Sequence, residues 1–295
     1  MTESQVTESL ATGARYWRER LGRFGIWRGV TEVTPELAAE IERLGYGALW
    51  LGGSPPADLA AVDEVLGATT RLVVATGIVN MWNSDPHEVA ASCARIEAAH
   101  PGRFLLGVGT GHPEATQQYA KPYETITRYV SALLADGVPG GAMVLAALGP
   151  KLLRLAAGRT AGAHPYLVTP QYTQWAREIT GPAALIATEH KAVLAADPQA
   201  ARAIGRPRVQ RPYLGLVNYT SNLRRLGFTD ADLAGGGSDA LIDALVAHGE
   251  PAQVAALLTE HLTAGADHVC VQLLAGPGDD VPGGYAVLAG ALGLV

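Results

Sequence analysis

Residues 71–112 read RLVVATGIVNMWNSDPHEVAASCARIEAAHPGRFLLGVGTGH, and their patterning decides the fold. Positions 72–80 and 104–109 are short apolar runs rich in Val and Leu, as in strands buried on both faces. Between them, Asp85-Pro86-His87-Glu88 carries a helix start: a capping acid, Pro at the first helical position and Glu at the capping-box position. Strand, helix, strand in this order is a parallel crossover unit. Both strands end in unusual chemistry, Gly77-Ile78-Val79-Asn80 and Gly107-Val108-Gly109-Thr110-Gly111-His112, which predicts two walls of one ligand site.

Outward from this unit the same rhythm repeats. Apolar runs at 23–27, 48–52, 72–80, 104–109, 143–148, 164–169, 192–196 and 268–273 make eight, with helical patterns between them. Eight units predict an α/β fold of the (β/α)8 TIM-barrel type rather than a doubly wound sheet, which usually stops at about six strands. Thr34-Pro35-Glu36 opens a helix that Gly45 closes, and Glu250-Pro251 opens the last crossover helix, which closes near Gly265. Residues 1–22 read as an N-terminal extension, helical over 12–21. Residues 211–249, with the run Ala234-Gly235-Gly236-Gly237-Ser238, are too long for a plain crossover and predict an added helical excursion between strands seven and eight, capping the barrel mouth. Neither stretch looks like a separate domain, so residues 1–295 are expected to form one barrel domain.

With 295 residues and 48% hydrophobic content, the chain can bury a sizeable core. Its net charge of -6 argues against a nucleic-acid partner, which normally needs a basic face. No apolar run is long enough to span a membrane, and the N-terminus lacks the pattern of a signal peptide, so a cytoplasmic location is expected. Cys93 and Cys270, each among apolar neighbours, read as buried free thiols. Only three of the 22 basic residues are Lys, which draws attention to any Lys inside a motif.

In a barrel of this kind the site is built from the C-terminal strand ends and the loops after them. Those ends are Leu51-Gly52-Gly53-Ser54, Gly77-Ile78-Val79-Asn80, Gly109-Thr110-Gly111-His112, Ala147-Leu148-Gly149-Pro150-Lys151 and Leu167-Val168-Thr169-Pro170. So many glycines leave room for a flat or bulky ligand to touch backbone. Gly107-Val108-Gly109-Thr110-Gly111 differs from a dinucleotide fingerprint, because Pro113 falls where a helix start should meet pyrophosphate; it reads either as a cofactor wall or as a turn needing Gly for backbone reasons. Gly149-Pro150-Lys151 opens a helix after a buried strand, so a phosphate could rest on its amides beside Lys151; ordinary helix initiation is the competing reading. His112 follows a strand end and could act as an acid, a base or a hydrogen-bond donor. His87, His100, His248 and His261 read as surface or capping residues, and His164 as structural, at the opposite end of the barrel. There is no HExxH, CxxC, GxSxG or Walker pattern, and no metal is expected.

The stretches LGRFGIW (21–27), ERLGYGALWLGG (42–53), 72–112, ALGPKLLRLAAGRTAGAHPYLVTP (147–170) and GADHVCVQLL (265–274) together resemble the bacterial luciferase-like superfamily, and within it the branch of coenzyme F420 (deazaflavin)-dependent oxidoreductases. The resemblance implies a flat deazaflavin at the C-terminal mouth of the barrel. It also implies a non-prolyl cis peptide after strand three, falling on Gly77-Ile78 or Ile78-Val79, with the bulge backing the ring. The cofactor contacts it implies are Gly52 and Gly53; Gly77, Ile78, Val79 and Asn80; Thr110 and Gly111; Leu148, Gly149, Pro150 and Lys151; and Thr169. Of these, the ends at 110–112 and 149–151 face the ribityl chain and phosphate. Deazaflavin-dependent sugar-phosphate dehydrogenases of the superfamily have a catalytic His after strand two and a Glu after strand four. Here those places hold Gly53 or Ser54 and His112, which argues against sugar-phosphate oxidation by that machinery. His112 is then the catalytic acid or base, with Asn80 as its polar partner.

The expected function is hydride transfer between coenzyme F420 and a small organic substrate. An FMN-dependent monooxygenase on the same scaffold is the alternative, and a deazaflavin-binding protein without catalysis is a third reading. Luciferase-like barrels are usually dimers, and the helix after strand three, with Val89, Ala90, Cys93 and Ala94, could form part of a homodimer interface or simply pack on the barrel. The substrate is not readable, because residues 54–58 and 211–237 match no motif.

Overall fold

The computed structural model describes residues 2–111 and 121–295. His112, the catalytic candidate of the sequence, lies outside the described residues. Ten strands occur among them: β1 (Phe24–Gly29), β2 (Ala48–Gly52), β3 (Val73–Thr76), β4 (Val79–Asn80), β5 (Phe104–Gly109), β6 (Met143–Leu145), β7 (Gly162–Ala163), β8 (Leu185–Val193), β9 (Val246–His248) and β10 (His268–Leu273). All pairings are parallel. The ring runs β1-β2-β3-β5-β6-β7-β8-β10 and closes where β10 meets β1. β4 resumes the path of β3 beyond a bulge and pairs with β5, while β9 pairs with the C-terminal end of β8. The eight-unit rhythm of the sequence is therefore a closed (β/α)8 barrel.

Around and beyond the ring lie α1 (Glu3–Leu21), α2 (Pro35–Arg43), α3 (Ala60–Gly67), α4 (Pro86–Ala99), α5 (Pro122–Ala135), α6 (Pro150–Arg159), α7 (Pro170–Thr180), α8 (Pro198–Gln210), α9 (Val217–Arg225), α10 (Asp230–Leu233), α11 (Asp239–Leu245), α12 (Pro251–Thr263) and α13 (Val281–Ala291). Most helices that follow barrel strands begin with Pro at the first position, where its missing N–H costs nothing and its fixed φ suits the helix. Thr34 and Asp85 accept from the first-turn amides of α2 and α4, as their sequence positions predict. The excursion after α8 is helical too, with α9, α10 and α11 following one another before β9.

Alternation along the strands sorts side chains into two cores. Leu49, Leu51, Val74, Leu106, Val108, Ile186 and Val269 face outward into the layer beneath the helices. Inside the ring, Ala48, Ala75, Ala161 and Ala187 leave a volume that the indole of Trp50 occupies, fully buried. α1 seals the lower end of the ring with Ala14, Trp17 and Leu21, and Trp17 Nε1 donates to the Gly141 carbonyl at 2.7 Å. This extension begins nine residues earlier than its expected helical start at Thr12.

Two strand expectations are corrected. The seventh strand spans Leu185–Val193 instead of 192–196, and its middle holds Thr188, Glu189, His190 and Lys191, all buried. Polar residues in mid-strand hide it, and the apolar run that stands out in the sequence starts only at its last two residues. The sixth is only Gly162–Ala163, so His164 stands past the strand's end, on the mouth side of the barrel rather than the opposite one. On α4, Val89, Ala90 and Cys93 pack into the core of this single chain, on the face laid on the barrel, whereas Ala94 is exposed. His261 is likewise not a surface residue: it is fully buried on α12 against His190. Cys93 and Cys270 are buried and unpaired. Among the described residues no helix is long and apolar enough to cross a membrane.

Candidate active site

A cavity of about 730 Å³ opens at the C-terminal end of the barrel. Its size and its concave, largely apolar walls suit a cofactor with a small substrate. The bulge between β3 and β4 forms part of its floor, and the Gly77-Ile78 peptide there is cis. Gly77 N donates to the Leu51 carbonyl at 2.8 Å, which ties the bulge to β2. Trp27 on β1 and His164 beyond β7 complete the floor. A methyl group on Gly77 would fall 2.8 Å from Trp27 Nε1 and 3.0 Å from His164 Nε2, so no larger residue fits without displacing one of them.

Asn80, Thr110 and Gly111 form one side wall. Asn80 is buried and its Oδ1 accepts from the Trp82 amide at 3.1 Å; Trp82 Nε1 donates to the Thr110 carbonyl at 2.7 Å. Gly111 has a left-handed φ of 55°, and a Cβ there would come within 2.5 Å of Asn80 Nδ2. The facing wall runs from Ala146 to the start of α6. Gly149 caps that helix without a side-chain bond, which leaves first-turn amides beside Lys151 for an anion. Among the described residues nothing lies within 4 Å of a Cβ built on Gly149, so the helix start is open on that side.

The excursion supplies the roof, with Tyr213 just before α9 and Tyr219, Asn222 and Arg225 on it. Arg225 lies over the Trp175 ring at 4.6 Å and donates from a terminal nitrogen to Asn222 Oδ1 at 3.0 Å. A guanidinium offers only donors, so the amide oxygen faces Arg225 and Nδ2 is the free end of Asn222. Beneath the roof, Lys191 Nζ pairs with Glu189 Oε1 at 3.0 Å and lies 4.0 Å from the centre of the Tyr166 ring and 5.4 Å from that of Tyr213. Glu189 Oε2 accepts from the amide of Leu167, whose φ is +56°, so the carboxylate holds the chain at the exit of β7 in a left-handed turn. Burial pushes the Lys191 ammonium below its usual range, and Glu189 opposes that shift.

The expected contacts therefore divide. Gly53, Gly77, Ile78, Asn80, Thr110, Gly111, Leu148, Gly149, Pro150 and Lys151 line this cavity together. Gly52, Val79 and Thr169 do not. Gly52 lies under the Trp27 indole, where a Cβ would come within 1.9 Å of the ring; Val79 points into the outer core; Thr169 caps α7 by accepting from Tyr172 N. Trp27, His164, Tyr166, Tyr213, Tyr219, Asn222 and Arg225 were not expected from the sequence. Trp27 had a signal, as the last residue of an apolar run, whereas the roof residues belong to a helix whose placement no local pattern reports.

Among the described residues, three buried polar atoms of the cavity lining have no hydrogen-bond partner: Trp27 Nε1, His164 Nε2 and Asn222 Nδ2. Leaving such a group unmet costs about 1–3 kcal/mol, so their gathering around one cavity is what a polar-edged ligand would exploit. With the glycine cradle and the free amides of α6, the lining fits a flat, phosphorylated heterocycle. Among the described residues no group of three or more His, Cys, Asp and Glu gathers as a metal site would require.

Residues 29–133 match the family described as luciferase-like monooxygenase. Over 96 residues the chain is 31% identical to 4-hydroxyprotoasukamycin monooxygenase of Streptomyces nodosus subsp. asukaensis, covering 29% of this chain and 24% of that protein. Over 74 residues it is 36% identical to the F420-dependent glucose-6-phosphate dehydrogenase of Mycobacterium avium (strain 104), covering 25% of this chain and 21% of that protein. The chain thus spans less than a quarter of the length of either of these curated relatives. A solved F420-dependent secondary alcohol dehydrogenase in complex with an F420-acetone adduct superposes with a TM-score of 0.69, over 92% of this chain and 98% of the other, at 16% identity. At that identity the likeness is one of fold.

Proposed function

From the premise that this is a luciferase-like barrel, we propose that the chain is an oxidoreductase that binds coenzyme F420 at the barrel mouth and serves hydride transfer with a small organic substrate. The observation that carries this reading is the coincidence, in one cavity, of a glycine-lined bulge, unmet polar atoms and a helix start with Lys151. Gly77 and Ile78 would back the ring, and Thr110, Gly111 and Gly149 would pass the chain that leads to the phosphate. Lys151 and the first amides of α6 would hold that phosphate. When bound, the deazaflavin supplies the hydride donor or acceptor, and the barrel's task is placement.

The chain's own residues do the rest. The tyrosine-rich roof excludes water from the mouth, and Asn222 Nδ2 offers a donor to a substrate oxygen. His112 is proposed as the group that gives or takes the substrate proton, and Asn80 as its polar neighbour. Asn80 Oδ1 is already committed to Trp82, so its role would be to orient rather than to exchange protons.

Titration with coenzyme F420, followed by the quenching of its fluorescence, tests the reading. Saturable binding is expected, and Lys151→Ala should weaken it by about tenfold, the loss of one charge-assisted contact. The match to a monooxygenase family favours one second reading, an FMN-dependent monooxygenase. Tighter binding of FMN than of F420, with oxygen-consuming turnover, would replace the first reading by the second. Failure to bind either would remove both.

A further inference from the structure

We infer that Trp27 Nε1–H and His164 Nε2 form a donor–acceptor pair that reads the carbonyl and N–H edge of the flat ring bound at the mouth; the inference rests on the cofactor reading above. Both atoms are buried and have no partner among the described residues, and both residues line the cavity. Both converge on the same edge of the bulge, 2.8 and 3.0 Å from a methyl placed on Gly77.

Their chemical roles are fixed by what lies behind them. His164 Nδ1 sits 2.8 Å from the Ala187 carbonyl, which can only accept, so the proton is on Nδ1 and Nε2 carries the lone pair. The ring is held in that orientation by stacking on Trp50, with centroids 4.2 Å apart and planes 15° apart. Trp50 is itself fixed, its Nε1 donating to His268 Nε2 at 3.1 Å while His268 Nδ1 donates to the Gly22 carbonyl at 2.8 Å. Burial holds His164 neutral at pH 7, with its pKa down to about 4. The indole N–H can only donate.

A donor beside an acceptor selects its ligand. A phosphate or carboxylate would suit Trp27 but would face a lone pair on His164, and an ammonium would suit His164 but confront the indole N–H. A ring amide satisfies both, through C=O to Trp27 and N–H to His164. The pyrimidinedione edge of a deazaflavin or a flavin presents that pattern at its N3 position. The anionic end of the same ligand is then directed to the far wall, at Gly149 and Lys151.

The test measures affinity, not turnover, using coenzyme F420, FMN and the N3-methyl derivative of each. Wild-type protein should bind the N3-methyl form at least tenfold more weakly than its parent. His164→Phe, which keeps the stacking on Trp50, should weaken binding of the parent about tenfold and abolish the discrimination. Trp27→Phe should weaken binding of the parent and keep the discrimination. Equal binding of parent and N3-methyl forms by the wild type overturns the pair, whether or not the variants fold; so does a folded His164→Phe that still discriminates. Preference for FMN with discrimination retained overturns the F420 assignment and leaves the pair standing. Absence of binding by both parent cofactors overturns the two together.

Discussion

Replacing Lys191 with Met will lower the free energy of unfolding by about 3–5 kcal/mol, the usual result of leaving one member of a buried ion pair without the other. Lys191 and Glu189 are both essentially inaccessible to solvent, and the carboxylate also holds the left-handed turn at Leu167. With the ammonium gone, Glu189 must either carry an uncompensated charge inside the barrel or take up a proton. The double variant Glu189→Gln/Lys191→Met removes the charge while keeping an oxygen for the Leu167 amide, so it should recover most of the loss. Urea unfolding at pH 7 decides between the outcomes. A single variant as stable as the wild type would show that the pair contributes nothing. The same substitution removes the cation beneath Tyr166 and Tyr213 and should loosen the roof over the cavity.

Acidification has an expected effect of similar size. Burial holds His164, His190 and His268 down to about 4, against 6.5 for an unperturbed imidazole, and also pushes His261 well below that usual value. Below pH 6.5 the unfolded chain binds protons that the folded chain refuses. Stability is therefore whole above about pH 6.5 and drains away as the pH falls towards 4. Each such histidine contributes about 1.4 kcal/mol per pH unit within that window. Unfolding midpoints measured at pH 7, 6 and 5 check this. A midpoint that does not move between pH 7 and pH 5 would mean that these rings are not buried neutral.

The contrast between two strands explains how far the sequence could be read. β5 is FLLGVG, apolar throughout, and the run at 104–109 coincides with it residue for residue. β8 is LIATEHKAV, and its polar centre concealed a strand that is buried along its whole length. Glu189 and Lys191 stand two apart, on one face, with His190 turned to the other. That spacing was the available sign of a strand carrying its own ion pair, but it has meaning only once the fold puts both groups in the barrel. The cavity was legible to a similar degree. Glycines at strand ends announced its walls, since they mark where backbone must be approached. Asn222, Tyr219 and Arg225 could not be announced, because their place over the mouth depends on how an irregular excursion folds back. Thr169, expected as a cofactor contact, caps α7, and the Pro170 that follows it was the available sign of that role.

The closure of the ring bears on the order in which the molecule can assemble. β1 takes β2 as one neighbour and β10 as the other, Gly25 lying against both Ala48 and Cys270. α1 is likewise anchored from far along the chain: Arg18 binds the carbonyls of Pro182, Ala183 and Ala184 and the carboxylate of Asp267. On a ribosome α1 and β1 must therefore wait, with apolar faces uncovered, until β10 has been made. The barrel pays for its seamless wall with a closure between segments about 245 positions apart, Phe24 against Val269, and nascent chains stalled before β10 are the species that would call on a chaperone.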